Sequence, residues 1–218
     1  MIKILLIVCA VLLLAVLLSF EKKESQKGIL LIKPVLSALF IVALFLGYRQ
    51  TSQYFYLILF GLVFCYIGDI CLVFFFRKKV FTLGLVSFLI GHLLYTAAFF
   101  YLAKTGSATW ISIAATLVVG GIVFVGLKSH LGDMLIPVVA YILIISAMVV
   151  GAATLLGDTA LSSTGRLMTF IGALSFYISD IFVARQRFVK KTFFNRLAGL
   201  PMYYTAQFLI AFSVGLIG

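Results

Sequence analysis

The sequence predicts an all-α integral membrane protein, a bundle of eight transmembrane helices. Of its 218 residues, 64% are hydrophobic and only 11% are charged, whereas soluble domains are roughly 45–50% apolar. Eight apolar stretches are long enough to cross a bilayer, which takes about 20 residues per helix. They fall near residues 2–20, 29–47, 54–75, 80–103, 108–127, 134–155, 164–184 and 197–217. Because these stretches use most of the chain, residues 1–218 are expected to form one membrane domain.

The composition also excludes several classes of protein. A disordered chain needs a more polar sequence, and a nucleic-acid-binding domain needs a solvated basic face. A secreted disulfide scaffold needs more cysteines than Cys9, Cys65 and Cys71. The net charge of +11 is therefore interpreted as a signal of membrane topology. No nucleic-acid partner is expected.

The distribution of lysine and arginine predicts the orientation, because these residues are retained on the cytoplasmic side of short loops. Three lie in even-numbered connections, at Arg49, Lys104 and Arg166. Twelve lie in odd-numbered connections, at Lys22, Lys23, Lys27, Arg77, Lys78, Lys79, Lys128, Arg185, Arg187, Lys190, Lys191 and Arg196. The odd connections are therefore expected to be cytoplasmic, which places both termini on the non-cytoplasmic side.

The six acidic residues fall into two groups by their predicted depth in the membrane. Asp69 and Asp180 fall inside the third and seventh apolar stretches, eight and five residues before the next arginine. At 1.5 Å per residue, these acids lie roughly 12 Å and 8 Å from the basic connections. An ionised carboxylate in hydrocarbon costs at least about 2.5–3.5 kcal/mol, so the two acids predict a site in the cytoplasmic half of the bilayer. The other four lie in connections, at Glu21, Glu24, Asp133 and Asp158.

Short motifs recur at a spacing close to half the chain. The segment Tyr66-Ile67-Gly68-Asp69-Ile70 matches Tyr177-Ile178-Ser179-Asp180-Ile181, and Tyr95-Thr96-Ala97-Ala98-Phe99 matches Tyr204-Thr205-Ala206-Gln207-Phe208. Pro34-Val35 similarly matches Pro137-Val138. The matches indicate a duplicated four-helix unit, with half-repeats 1–103 and 108–218. Since four crossings preserve orientation, an axis along the membrane normal would bring both acids to one depth.

Two tyrosines stand close to the acids along the chain. Tyr66 and Tyr177 each precede one acid by three residues, and hence lie on the same helix face. Their hydroxyls could donate to the carboxylates, and ordinary aromatic packing is the alternative. The acids themselves could instead be structural, hydrogen-bonded to tyrosine or paired with Lys33 or an arginine.

Two further polar residues lie within predicted helices. His92 is near the middle of the fourth helix, with Tyr95 one turn later and Gly91 beside it to allow close helix approach. It either packs between helices or faces the acids. Lys33 lies just inside the second helix. It either extends to the headgroups, binds a lipid phosphate or tunes an aspartate.

Familiar catalytic signatures are absent from the sequence, which has no G-x-S-x-G, H-E-x-x-H, P-loop or C-x-x-C motif. The two histidines are far apart, so no metal and no cofactor are expected. If the protein is an enzyme, the two membrane aspartates are the natural acid–base pair.

Five short motifs keep a fixed order along the chain: Lys33-Pro34, Gly68-Asp69, Gly91-His92-Leu93-Leu94-Tyr95, Pro137-Val138 with Tyr141, and Ser179-Asp180. Together they resemble the YhhN-like lysoplasmalogenases over nearly the whole chain. Members of that family are eight-helix membrane hydrolases that cleave the vinyl ether bond of lysoplasmalogens. The products are a fatty aldehyde and glycerophosphoethanolamine or glycerophosphocholine. The resemblance implies this activity and a lysophospholipid substrate.

The chemistry implied by the resemblance suits two aspartates. Vinyl ether hydrolysis begins with protonation of an alkenyl carbon and needs one protonated carboxyl and one carboxylate. Two nearby carboxylates resist ionising together, so Asp69 and Asp180 are expected to share one proton and act as the catalytic pair. The lipid headgroup is expected near Lys33 or Arg185. The residues expected to bind the substrate or tune the pair are His92, Tyr66, Tyr177, Lys33, Tyr95, Tyr141 and Arg185.

Two other classes of function remain open at this point. Paired membrane aspartates between parallel repeats are also typical of a proton-coupled transporter. A lipid-binding membrane protein without turnover is the third class. Aldehyde release by detergent-solubilised protein separates the enzyme from both, because a transporter needs a sealed membrane. The oligomeric state is left open.

Overall fold

The computed structural model describes residues 1–47 and 51–217. Within this part of the chain, eight long helices are apolar enough to cross a membrane, which confirms the predicted fold class. Arg49, which the sequence places in the second connection, lies outside the described residues. The helices are α1 (Ile2–Lys22), α2 (Gln26–Gly47), α3 (Gln53–Val73), α4 (Lys78–Leu102), α5 (Ser107–Leu127), α6 (Leu135–Gly157), α7 (Ser163–Ala184) and α8 (Phe193–Ile217).

Short connections join the helices and contain a few regular features. The hydroxyl of Ser52 accepts a hydrogen bond from the backbone N–H of Phe55 at 3.2 Å and so caps the start of α3. Two 3-10 turns, Lys128–His130 and Gly132–Met134, lead from α5 to α6. A π-helical turn, Arg185–Val189, continues α7 toward α8.

Six of the helices form a closed ring. In order around the ring they are α2, α3, α4, α6, α7 and α8, and α8 packs against α2. Helix α1 packs outside the ring against α2 and α8, whereas α5 packs outside it mainly against α6. In their most apolar segments, 11% of α1 and 17% of α5 is buried, against 33–50% of the six ring helices. Buried polar side chains are therefore concentrated in the ring helices.

The two halves of the chain pack in the same order. The contacts of α1 with α2, α2 with α3 and α3 with α4 have counterparts in those of α5 with α6, α6 with α7 and α7 with α8. The halves meet through α4 against α6 and through α8 against α2. A parallel four-helix repeat predicts this arrangement, and the duplication itself stays a prediction.

Glycines allow α3 and α4 to approach closely. A Cβ on Gly91 would lie 2.9 Å from Sγ of Cys65 and 3.1 Å from the carbonyl oxygen of Gly61. Small residues at a helix crossing let the backbones pack together in a membrane. This crossing buries Asp69 on α3 and His92 on α4, which are 1% and 0% exposed.

Candidate active site

Asp69 is a buried carboxylate surrounded by three donors. Nζ of Lys33 lies 3.1 Å from Oδ1, and the hydroxyls of Ser37 and Tyr203 each donate to Oδ2 at 2.6 Å. Oγ of Ser37 also lies 3.1 Å from the hydroxyl of Tyr204. Lys33 and Ser37 are one turn apart on α2, so one face of this helix supplies both partners. The lysine ammonium balances a charge that burial would otherwise penalise.

A chain of hydrogen bonds extends from Asp69 through α8 to α4. Nε2 of Gln207 donates to the hydroxyl of Tyr203 at 3.1 Å, and the hydroxyl of Tyr95 donates to Oε1 of Gln207 at 2.8 Å. Tyr95 and Gln207 are both fully buried. A buried polar network whose members are paired holds its helices in one arrangement.

Asp180 on α7 has a different environment. The hydroxyl of Tyr141 on α6 donates to Oδ2 at 2.5 Å. Nε2 of His92 on α4 lies 3.9 Å from the same oxygen, which is beyond hydrogen-bond distance. In the described chain no lysine or arginine forms an ion pair with Asp180. Its side chain is 16% exposed, against 2% for Asp69.

His92 is enclosed by aromatic rings. The ring centroids of Phe176, Tyr141 and Tyr95 lie 4.5, 5.3 and 6.5 Å from its own. The imidazole is fully buried, and neither nitrogen makes a hydrogen bond within residues 1–47 and 51–217. Nε2 therefore faces Asp180 from a largely apolar surrounding.

An apolar cavity, with about 660 Å³ of empty space, lies beside Asp180. Residues of α3 to α7 and of the π-helical turn form its wall, on which Asp180 is the one acidic residue. Every other lining residue is aliphatic or aromatic, among them Phe88, Val123, Leu127 and Ile145. Such walls suit an alkyl chain, because its burial removes apolar surface from water.

A second cavity, the two-acid cavity, contains both aspartates. It has about 410 Å³ of empty space and is lined by Asp69, Asp180 and Lys33, together with Tyr203 and polar residues of α7, the π-helical turn and the first turn of α8. Asp180 lines both cavities. Its carboxyl group therefore stands where an apolar space meets a polar one.

The two aspartates occupy matching positions in the two halves. Asp69 lies four residues before Val73, the end of α3, and Asp180 lies four residues before Ala184, the end of α7. Asp69 takes its partners from α2 and α8, whereas Asp180 takes its neighbours from α6 and α4. These helices correspond under the predicted duplication. The halves differ in charge, because within the described chain a lysine pairs with Asp69 and none pairs with Asp180.

The structure brings together four of the polar residues that the sequence placed around the acids. Lys33 pairs with Asp69, Tyr141 donates to Asp180, and His92 lies beside Asp180. Tyr95 joins the network through a glutamine. Lys33 is 3% exposed and pairs with Asp69, so its ammonium lies inside the bundle rather than extending to the headgroups.

The remaining three predicted residues are placed differently. Tyr66 is half-buried and does not hydrogen-bond to Asp69 within the described chain. The buried hydroxyl of Tyr177 has no hydrogen-bond partner there either, although its ring lines the apolar cavity. Arg185 donates to the side chain of Asn195 at 3.4 Å and lines neither cavity. The tyrosines that donate to the acids come from α8 and α6 instead.

Sequence reasoning missed Ser37, Tyr203 and Gln207. Helical spacing could have found two of them, because Ser37 follows Lys33 by four residues and Gln207 follows Tyr203 by four. A glutamine inside an apolar stretch is also a signal by itself. Tyr203 adjoins Tyr204, which the repeat already matched to a tyrosine of α4.

Comparison with known protein families matches residues 28–214 to the YhhN family. The chain belongs to the YhhN family. Among curated proteins, this YhhN-family chain is 31% identical over 179 residues to the lysoplasmalogenase TMEM86A of Bos taurus. The alignment covers 80% of this chain and 72% of the bovine protein. No solved structure matches.

The family predicted from the five motifs is therefore confirmed, and this YhhN-family chain is a multi-pass integral membrane protein. The bovine relative is named as an enzyme, as the resemblance implied. Helix α1 lies before residue 28, where the family match begins.

Proposed function

We propose that this YhhN-family protein hydrolyses the vinyl ether bond of lysoplasmalogens to a fatty aldehyde and glycerophosphoethanolamine or glycerophosphocholine. The observation that carries the proposal is Asp180, a single acid between an apolar and a polar cavity. A one-tailed lipid has the matching order of alkenyl chain, vinyl ether and glycerophosphate. The likeness to a bovine lysoplasmalogenase supports the same substrate class.

Asp180 is the proposed proton donor. Its Oδ2 accepts the hydrogen bond from Tyr141, which leaves Oδ1 to carry a proton. Because no lysine or arginine of residues 1–47 and 51–217 pairs with Asp180, its neutral carboxyl is less costly to bury than a charged one. Asp180 protonates the alkenyl carbon farther from the ether oxygen, and the electrons of the double bond form the new C–H bond. The carbon attached to the ether oxygen thereby becomes part of an oxocarbenium ion.

Asp69 supplies a fixed carboxylate, paired with Lys33, in this mechanism. Lys33, Ser37 and Tyr203 hold its carboxylate in place, and preorganised charge of this kind stabilises a developing cation. The basic residues in the adjoining connections support a site in the cytoplasmic half of the bilayer.

Water completes the reaction from the polar side. It adds to the oxocarbenium carbon and gives one proton back to Asp180, which produces a hemiacetal. The bond between that carbon and the glycerol oxygen then breaks, and the hemiacetal hydroxyl proton passes to the glycerol oxygen. The aldehyde and the glycerophospho-alcohol are released, and Asp180 has recovered its proton.

The test is aldehyde release from a lysoplasmalogen by purified, detergent-solubilised protein. Asp180→Asn keeps the shape of the side chain but removes the transferable proton, so we expect kcat to fall about 10²- to 10⁴-fold. Asp133→Asn is the matched control, because Asp133 is an exposed acid at the same end of the bundle that lines neither cavity. A saturated ether lysolipid controls for non-specific cleavage.

Near-wild-type aldehyde release by Asp180→Asn would end this mechanism. Absence of aldehyde from the wild type, together with uptake into sealed proteoliposomes, would favour the transporter. The solubilised assay separates these outcomes because a transporter has no net work to do without a membrane.

A further inference from the structure

A third cavity, the mixed-charge cavity, lies at the end of the bundle that carries the basic connections. It forms where α1 and α3 end and where α2 and α8 begin, and it holds about 780 Å³ of empty space. Both signs of charge line it, with the acids Glu21 and Glu24 and the bases Lys22, Lys191 and Arg196. Both acids precede residue 28, the start of the family match.

The charges in this cavity form two ion pairs of different depth. Nε of Arg196 lies 3.4 Å from a carboxylate oxygen of Glu21, and both side chains are about nine-tenths buried, at 13% and 11% exposure. Nζ of Lys191 lies 2.8 Å from a carboxylate oxygen of Glu24, and this pair is solvent-exposed. The inner pair is therefore a fixed part of the wall, whereas the outer pair can exchange partners with a ligand.

The inner end of the cavity suits a phosphate. Besides Nε, the guanidinium of Arg196 has terminal N–H groups, and no hydrogen bond from them to the described chain is found. The buried hydroxyl of Thr192 has no hydrogen-bond partner there. Thr192 also stands immediately before Phe193, the first residue of α8. The positive end of a long helix dipole therefore lies beside Arg196.

The outer end suits an ammonium group. The ammonium of Lys191 already sits against an acid, Glu24, and 5.0 Å above the ring of Phe76. An aromatic face attracts ammonium groups, and a carboxylate beside it adds the opposite charge. Glu24 also has a left-handed backbone, with φ of 51°, where glycine would be favoured. A carboxylate is present at this position despite its conformational cost.

The three cavities are neighbours in the bundle, because each shares lining residues with the next. The mixed-charge cavity shares Gln186 and Arg196 with the two-acid cavity. The two-acid cavity shares Phe88 and Asp180 with the apolar cavity. The order is therefore the apolar cavity, Asp180, the two-acid cavity and the mixed-charge cavity. In the last of these, the groups that can donate to a phosphate come before the carboxylate that can accept from an ammonium.

We propose that the mixed-charge cavity binds a zwitterionic phosphate–ammonium headgroup. Arg196 and Thr192 bind the phosphate, Glu24 binds the ammonium, and Glu21 positions Arg196. The inference rests on the proposed function, because the headgroup belongs to the lysolipid whose vinyl ether lies at Asp180. A lipid that ends in a bare phosphate has no ammonium to exchange for Lys191 at Glu24, so the cavity selects ethanolamine or choline lipids over such lipids.

Binding of two non-hydrolysable probes tests the inference without any turnover. Both are saturated 1-alkyl lysolipids of the same chain length, one with a glycerophosphoethanolamine headgroup and one with glycerol phosphate. Their dissociation constants are measured by calorimetry with the protein in lipid nanodiscs, and empty nanodiscs are the blank. The wild type is expected to bind the ethanolamine lipid more tightly.

Substitutions at Glu24 and Arg196 test the two ends of the headgroup site, and one at Asp133 is the control. Glu24→Gln is expected to weaken only the ethanolamine lipid, about three- to fivefold, as for an exposed ion pair. Arg196→Gln is expected to weaken both lipids about tenfold, because a charge-assisted hydrogen bond is lost, and Arg196→Lys should lose less. Asp133→Asn removes an exposed acid that lines none of the three cavities and should change neither affinity.

Glu24→Gly tests the same position with a variant that is expected to fold. Glycine relieves the left-handed backbone, so this variant should be at least as stable as the wild type and still lose the preference for ethanolamine. Equal binding of the two lipids by the wild type, or unchanged affinities in Glu24→Gln, would overturn the ammonium assignment. Unchanged affinities in Arg196→Gln would overturn the phosphate assignment. Normal aldehyde release with unaltered KM in all variants would refute the headgroup site while leaving the proposed function intact.

Discussion

The buried pair of Lys33 and Asp69 offers the most quantitative test of the site. Nζ and Oδ1 are 3.1 Å apart, and the two side chains are 4% and 2% exposed. Lys33→Met keeps the length of the side chain and removes its charge, which leaves the carboxylate buried without a counter-ion. Breaking a buried pair in this way costs about 3–5 kcal/mol of unfolding free energy.

The double variant Lys33→Met/Asp69→Asn separates charge from shape. It removes both charges and keeps an oxygen that can accept from Ser37 and Tyr203. We expect it to recover much of the loss, since neutral replacement of a buried ion pair is often close to neutral in free energy. Unfolding free energies from titration with a denaturing detergent in mixed micelles complete the double-mutant cycle.

An exposed pair in the same protein is the control for this cycle. Lys78 and Asp133 are closer, at 2.8 Å, but their side chains are 62% and 87% exposed. Lys78→Met should therefore cost no more than about 1 kcal/mol. If Lys33→Met is as mild as Lys78→Met, or if the effects at Lys33 and Asp69 simply add, burial does not make this pair important and the reasoning fails.

Two further predictions concern neighbours of the acids. Tyr141→Phe removes the donor to Asp180 and should lower kcat about tenfold, whereas Tyr177→Phe removes a buried hydroxyl without a hydrogen-bond partner in the described chain and should leave kcat within about twofold. Equal losses in the aldehyde assay would contradict this contrast. Gly91→Ala places a Cβ 2.9 Å from Sγ of Cys65 and should cost about 1–3 kcal/mol of stability. Adding Cys65→Ala should restore part of the lost stability, measured by thermal unfolding. If it restores none, close packing at the α3–α4 crossing does not limit the stability of the protein.

Hydropathy predicted the eight helices because a chain in lipid must satisfy its backbone hydrogen bonds internally. The length of an apolar stretch is therefore enough to locate each membrane-spanning helix. The ends shifted by a few residues where polar side chains extend a helix past the hydrocarbon. Helix α8, for example, begins at Phe193 rather than near 197, and Asn195 and Arg196 lie in its first turn.

The site was only partly predictable, because the rotation of each helix is not encoded in an apolar stretch. Asp69, Asp180 and Lys33 were found because charge inside a membrane is rare. Tyr203 was missed because tyrosine is ordinary in such helices and its partner, Asp69, lies on another helix, 134 residues away. The unequal partners of the two acids also depend on packing across helices, which short motifs do not contain.

Closure of the ring between α2 and α8 has a consequence for synthesis of the protein. Lys33 and Ser37 enter the membrane early, but Tyr203 and Arg196 arrive with α8, the last helix in the described chain. A nascent chain of seven helices therefore contains Asp69 and Lys33 but lacks Tyr203. It also lacks the residues of α8 that line the two-acid cavity. We therefore expect the proposed activity to require α8, so a chain that stops after α7 should release no aldehyde.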